Sequence, residues 1–277
     1  MTAQPIGRSE DSRFRVGLAR AFGGAILFSL PMFMTMEMWW LGFHMDRLRL
    51  AVFLASGIPL LVGLSHYIGF ERTFGWVNDL VDAFVAYAVG FVAAGGIMLL
   101  FSVIEPGMSV HEIVGKVSVQ ALPGAIGAML AQNQMGQNDE QVEERVRSYA
   151  SKLFIMLVGS LFLAFNIAPT EEMVLISYQM TTVHALILAL LTLALMHAFT
   201  YAVGFSGQQE RRPEGVPFWS VFIRYTMTGY AVALLVSLIA LWLFGRTDGT
   251  GLEETAMAML VLGFPAAMGA AAARLIL

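Results

Sequence analysis

Apolar residues run along the chain in eight blocks, each close to the length of a bilayer core and separated by short polar stretches. Windows such as Phe22 to Phe43 and Tyr225 to Phe244 carry at most one charge, which leaves no polar face to meet water. Hydropathy predicts membrane helices near 20–43, 48–70, 79–103, 110–131, 152–177, 182–205, 218–244 and 254–275. The fourth is the most polar. It carries His111, Glu112, Lys116 and Gln120 in its first half, so a re-entrant or interfacial segment is the alternative there.

The pattern repeats. Thr35-Met36-Glu37-Met38 matches Thr170-Glu171-Glu172-Met173, Ile68-Gly69-Phe70 matches Val203-Gly204-Phe205, and Tyr87-Ala88-Val89 matches Tyr230-Ala231-Val232. Further on, Glu112 falls on Glu254, and the segment from Leu122 through Pro123 to Ala128 falls on Phe264 through Pro265 to Ala270. Matched glutamates and prolines are not what apolar bias alone produces. The fold class expected is therefore an all-α membrane protein with about eight transmembrane helices, arranged as two pseudo-symmetric four-helix repeats. An even number of crossings per half makes the repeat parallel and puts sites between the halves. The expected divisions are a cytoplasmic tail over 1–18, a first repeat over 19–132, a cytoplasmic linker over 133–149 and a second repeat over 150–277.

Composition agrees, with 57% hydrophobic and only 13% charged residues. A soluble domain carries about 25% charge. The first apolar run is too long for a cleaved signal peptide and follows an arginine-bearing tail, so it is expected to stay as a helix. More Lys and Arg lie in the tail and the loops facing the same side than in the opposite loops. This places both termini in the cytoplasm of a multi-pass protein of the bacterial inner membrane. The basic residues are dispersed and the net charge is −4, so nucleic acid is not an expected partner. With no cysteine there is no thiolate chemistry.

Ionisable residues inside spans cost a few kcal/mol each unless they face a partner or a watery path. Glu37 and its mate Glu172 stand out on that ground, with Thr35, Asn166, Thr170 and Glu171 as neighbouring oxygen donors. Pro31 and Pro169 remove backbone donors, so bare carbonyls are expected beside the carboxylates, a set suited to a hard cation. Glu112, Glu253 and Glu254 begin the fourth and eighth helices on the same side and form an acidic outer mouth, or alternatively cap their helix dipoles. For Glu37 and Glu172 the alternative is a structural hydrogen bond or a place among the headgroups. His66 and His197 are candidate relay residues, though packing accounts for them more simply. Small residues at Ala93-Ala94-Gly95-Gly96 and across 266–273 read as close-packing faces.

The segments Thr35-Met36-Glu37-Met38-Trp39-Trp40-Leu41-Gly42 and Asn166-Ile167-Ala168-Pro169-Thr170-Glu171-Glu172 resemble a family of bacterial integral membrane proteins of unknown function. That resemblance spans nearly the whole chain and implies a fold class but no activity. The leading expectation is a cation channel or cation/proton exchanger with the acidic site between the repeats. The alternative is a non-transporting scaffold or sensor with structural acids. An enzyme is not expected, since no nucleophile, metal motif or phosphate loop is recognisable. No cofactor and no metal beyond the transported cation is expected. The partners are the lipid bilayer and an inorganic cation or proton, with a homo-oligomer left open.

Overall fold

The computed structural model describes residues 7–68, 76–134, 148–201, 219 and 222–276. The chain divides into two compact units, Met1–Val142 and Glu143–Leu277. Among the described residues every regular element is a helix, and eight helices are long and apolar enough to cross a membrane. The linker expected between the halves falls mostly outside the described residues.

The first unit contains α1 (Gly7–Phe33), α2 (Met36–His44), α3 (Arg47–Ile68), α4 (Trp76–Leu100) and α5 (Val110–Gln134). The single helix expected over 20–43 is corrected to two. Pro31 removes a donor in the last turn of α1, and Thr35 adopts an extended backbone that ends one helix and begins the next. Asp46 then starts α3, accepting from the backbone amides of Leu48 and Arg49 at 2.9 and 3.1 Å. α4 closes in a Schellman turn. Ser102 takes the left-handed conformation (φ 56°), while Val103 N–H reaches back to Met98 and Ser102 N–H to Leu99.

α5 touches each of the other four helices of its unit. Every residue from Gly115 to Met129 except Val117 is buried, and the helix is continuous, which settles the fourth segment as a full-length helix rather than a re-entrant one. Glycine makes this central position feasible. A Cβ on Gly127 would collide with the Gly24 carbonyl of α1, and one on Gly115 with the Gly42 carbonyl of α2. On α4, Gly90 lies against the Ala121 carbonyl in the same way.

The second unit contains α6 (Tyr149–Ile167), α7 (Glu171–Gln179), α8 (Thr182–Tyr201), a π-helical turn (Phe222–Met227) that runs into α9 (Thr228–Leu243), and α10 (Leu252–Ile276). The helix expected over 152–177 is again two, interrupted around Pro169. α9 ends in a Schellman turn with Gly245 at φ 73°, a conformation glycine adopts without a Cβ penalty. α10 is the central helix here. Ala266, Ala267, Ala270 and Ala271 are fully buried on it, and Gly269 lies against Gly159 of α6 so closely that a Cβ on either would meet the other's carbonyl.

Not every small residue serves packing. Ala93 and Ala94 are buried, but a Cβ on Gly95 or Gly96 would meet nothing within 4 Å, so those two glycines are not at a close helix contact as the sequence suggested. Overpacking a tight crossing costs about 1–3 kcal/mol, whereas an open helical glycine gains up to about 1 kcal/mol on becoming alanine. Gly159→Val should therefore lower the midpoint of thermal unfolding in detergent by several degrees, and Gly95→Ala should leave it level or raise it. Equal midpoints for the two variants would contradict this packing.

Candidate functional site

Each helix interruption strands carbonyl oxygens, and side chains of the same unit claim them. At the α1–α2 break Thr35 Oγ1 donates to the Pro31 carbonyl (2.7 Å), Trp39 Nε1 to Phe33 (2.7 Å) and Gln120 Nε2 of α5 to Met32 (3.1 Å). At the α6–α7 break Thr170 Oγ1 donates to Ile167 (2.8 Å) and Asn166 Nδ2 to Phe162 (2.7 Å). Arg246, thrown forward by the Gly245 turn, donates from one terminal nitrogen to the Pro169 carbonyl and from the other to Glu171 Oε1 at 2.8 Å. The carbonyls of Pro31, Met32 and Phe33 at the first break and of Ile167 and Pro169 at the second thus each have a side-chain donor from their own unit.

The acids divide in the same way. Glu171 is tied to Arg246, while Glu172 is exposed in the first turn of α7. Glu37 is half-buried in the first turn of α2, with no hydrogen bond or ion pair among the described residues. Both therefore sit at the start of a short helix rather than in mid-span, a position that a helix dipole favours. Glu112, Glu253 and Glu254 occupy the first turns of α5 and α10.

In the first unit a continuous polar feature descends from that end. Glu112, Lys116 and Gln120 recur every fourth residue, which puts them on one face of α5, about 6 Å apart per step. Lys116 is buried and its ammonium turns back to Glu112 Oε1 (2.8 Å) and to the Val103 carbonyl (3.4 Å), which the left-handed Ser102 presents. α2 covers this stretch, since Gly42 lies directly on the backbone of Gly115 and Lys116. Trp39 of α2, together with Ile113 and Val117 of α5, packs against the cluster of Met98, Val103 and Ile104 at the α4–α5 connection.

Gln120 is the eleventh residue of the twenty-two-residue candidate span Val110–Ala131, and the α1–α2 break that it braces follows directly on the candidate span Arg15–Phe33. Gln120 Oε1 and Ser29 Oγ, both on residues of zero exposure, have no hydrogen-bond partner among the described residues. In the second unit the corresponding steps from Glu254 are Ala258 and Leu262, so α10 carries no such stripe. Sequence reading registered the polar residues of α5 as weakness in a span. Their fourfold spacing was the signal that marks a buried polar face.

The histidines lie elsewhere. His66 Nδ1 is 3.4 Å from Asp79 Oδ2, and Ser65 Oγ stands 3.0 Å from both Asp79 Oδ1 and Asp82 Oδ2, where α3 ends and α4 begins. His197 Nδ1 is 3.0 Å from Thr226 Oγ1 within the π-helical turn, with its ring edge-on to Phe222. Among the described residues no three His, Asp or Glu side chains gather as a metal site.

Among the described residues, eight helices long and apolar enough to cross a membrane and a buried polar face on the central helix of the first unit define a multi-pass α-helical integral membrane protein. The chain belongs to the DUF2391 family of integral membrane proteins, whose model matches residues 17–277. No curated protein and no solved structure matches it.

Arg246 closes the α6–α7 break mainly through its part-buried bond to the Pro169 carbonyl, a charge-assisted bond worth about 1.5–3 kcal/mol, while its pair with the largely exposed Glu171 adds no more than about 1 kcal/mol. Arg246→Gln should lower the thermal unfolding midpoint in detergent by several degrees, while Glu172→Gln, at an exposed position, should shift it by no more than about one degree. An unchanged midpoint for Arg246→Gln would remove the clamp from the account.

Proposed function

We propose that the protein carries a cation or a proton across the membrane, as a channel or an exchanger, by way of the first unit. The observation that supports this most is the polar face Glu112–Lys116–Gln120 on the most buried span, ending midway along that span beside the α1–α2 break. Interrupted helices opposite the bilayer middle are where secondary transporters place their coupling ions. A buried lysine with its glutamate is costly to retain in an apolar core and has its use on an ion or proton route. Glu37, half-buried at the start of α2, adds negative potential next to that route, and Glu112, Glu172, Glu253 and Glu254 attract cations to the ends of their helices. The bacterial inner membrane, with both termini in the cytoplasm, is the setting this reading adopts.

The two units divide the labour in this proposal. Their common order of span, nine-residue helix and three further spans supports a duplicated origin. The second unit, with Arg246 locked on Glu171 and an apolar α10, is the structural partner. The scaffold or sensor alternative draws on the same clamp, extended to the whole chain.

Flux measurements in proteoliposomes separate the readings. With sodium, potassium and proton gradients imposed in turn, the wild type should move at least one species. Lys116→Met and Glu37→Gln should each cut the initial rate about tenfold, a barrier change of about 1.4 kcal/mol, while Glu172→Gln stays within about twofold. No flux of any of the three, from protein that is folded and reconstituted, would overturn transport and favour the scaffold.

A further inference from the structure

The two unpartnered oxygens in the first unit carry the reading further. Gln120 cannot turn its amide over, because Nε2 is committed to the Met32 carbonyl at 3.1 Å and a flip would set oxygen against oxygen. Its Oε1 is therefore fixed as an acceptor with no donor from the chain. Lys116, one turn away, does not supply one, since its ammonium is directed outward to Glu112 and Val103. Ser29 Oγ has no partner among the described residues either, as is true of Ser160 Oγ and Asn166 Oδ1 in the second unit. Ser237 and Thr192 return their hydroxyls to the carbonyl four residues earlier, at 2.8 and 2.6 Å, but Ser29 Oγ makes no such bond.

Both oxygens belong to one helix crossing. Ser29 Oγ lies 3.5 Å from where a Cβ on Gly124 would stand, one turn beyond Gln120, and Gln120 reaches Met32, three residues past Ser29. Pro123 lies on the same turn and has no N–H to give to the helix. The crossing also lies within the last turn and a half of α1, the negative end of its dipole.

We infer that this crossing is a binding site for a monovalent alkali cation, with Ser29 Oγ and Gln120 Oε1 among its ligands. The assignment rests on the transport reading and names its cargo. Leaving buried acceptors unsatisfied costs free energy that a bound donor or cation recovers. An all-oxygen set suits a hard cation. Neutral oxygens favour single over double charge, because a divalent ion gives up far more hydration and normally demands carboxylates in return. The only carboxylate on the stripe, Glu112, is already neutralised by Lys116. A titrating proton is disfavoured as the occupant, since neither an amide nor a hydroxyl ionises in the physiological range.

The test uses the full-length protein purified in detergent, with thermal unfolding followed in sodium, potassium or choline chloride at equal ionic strength. At least one alkali salt should raise the wild-type midpoint above that in choline, with a saturable dependence on concentration. Ser29→Ala removes an oxygen that makes no protein hydrogen bond, so its midpoint in choline should match the wild type. Its apparent affinity for the alkali ion should fall about tenfold, and Gln120→Leu should abolish the shift. Identical midpoints in all three salts, as a trapped water alone would give, would overturn the assignment, and so would a full alkali shift in Ser29→Ala. The flux assay keeps the two proposals apart: protons moving without any alkali shift sinks this site alone, and an alkali shift with no flux sinks transport alone.

Discussion

A backbone carbonyl in the hydrocarbon core has no water to turn to, and an interrupted span strands several at once. Both units of this protein contain such an interruption, and much of their side-chain chemistry answers it. Thr35, Trp39 and Gln120 serve the first break, and Thr170 and Arg246 the second. The Schellman turns that end α4 and α9 are part of the same solution. One presents the Val103 carbonyl to Lys116, and the other brings Arg246 to Pro169.

The units answer the constraint with different chemistry, and the difference organises the functional reading. Arg246 joins its break to Glu171 by a fixed ionic clamp. In the first unit the brace is neutral and comes from the central helix itself, as Gln120, so the polar face on which Gln120 stands must accompany it into the core. Glycine crossings between α1 and α5 and between α2 and α5 bring backbones close enough to bury that face. The same tightness makes an unpartnered oxygen there expensive, which is why Ser29 and Gln120 carry more weight than a surface serine and glutamine would.

The eight crossings were legible because hydropathy integrates over about twenty residues, and no single polar side chain can mask that signal. The breaks after Phe33 and Ile167 were not. An apolar window reads the same whether its backbone is one helix or two, and Pro31 and Pro169 announced weakened hydrogen bonding without fixing where the chain would turn extended. Glu37 and Glu172 drew attention as charges in mid-span, yet a helix start is a favourable place for an acid, and the structure puts both there. The Arg246–Glu171 pair spans 75 residues, a separation that no local pattern encodes. Glu112, Lys116 and Gln120 were visible throughout, and their spacing of four held the information that composition alone obscured.

Because the chain has no cysteine, the path can be probed one residue at a time in an otherwise native background. The most direct measurement is the reactivity of single cysteines, at 112, 116 and 120 on the polar face and at 114, 117 and 121 off it, toward a small membrane-impermeant cationic thiol reagent in proteoliposomes. The account predicts modification at 112, 116 and 120 with rates that fall with depth, and protection at 114, 117 and 121. Protection of 116 and 120 alongside their neighbours would mean that the polar face is sealed packing, and would contradict a path through the first unit.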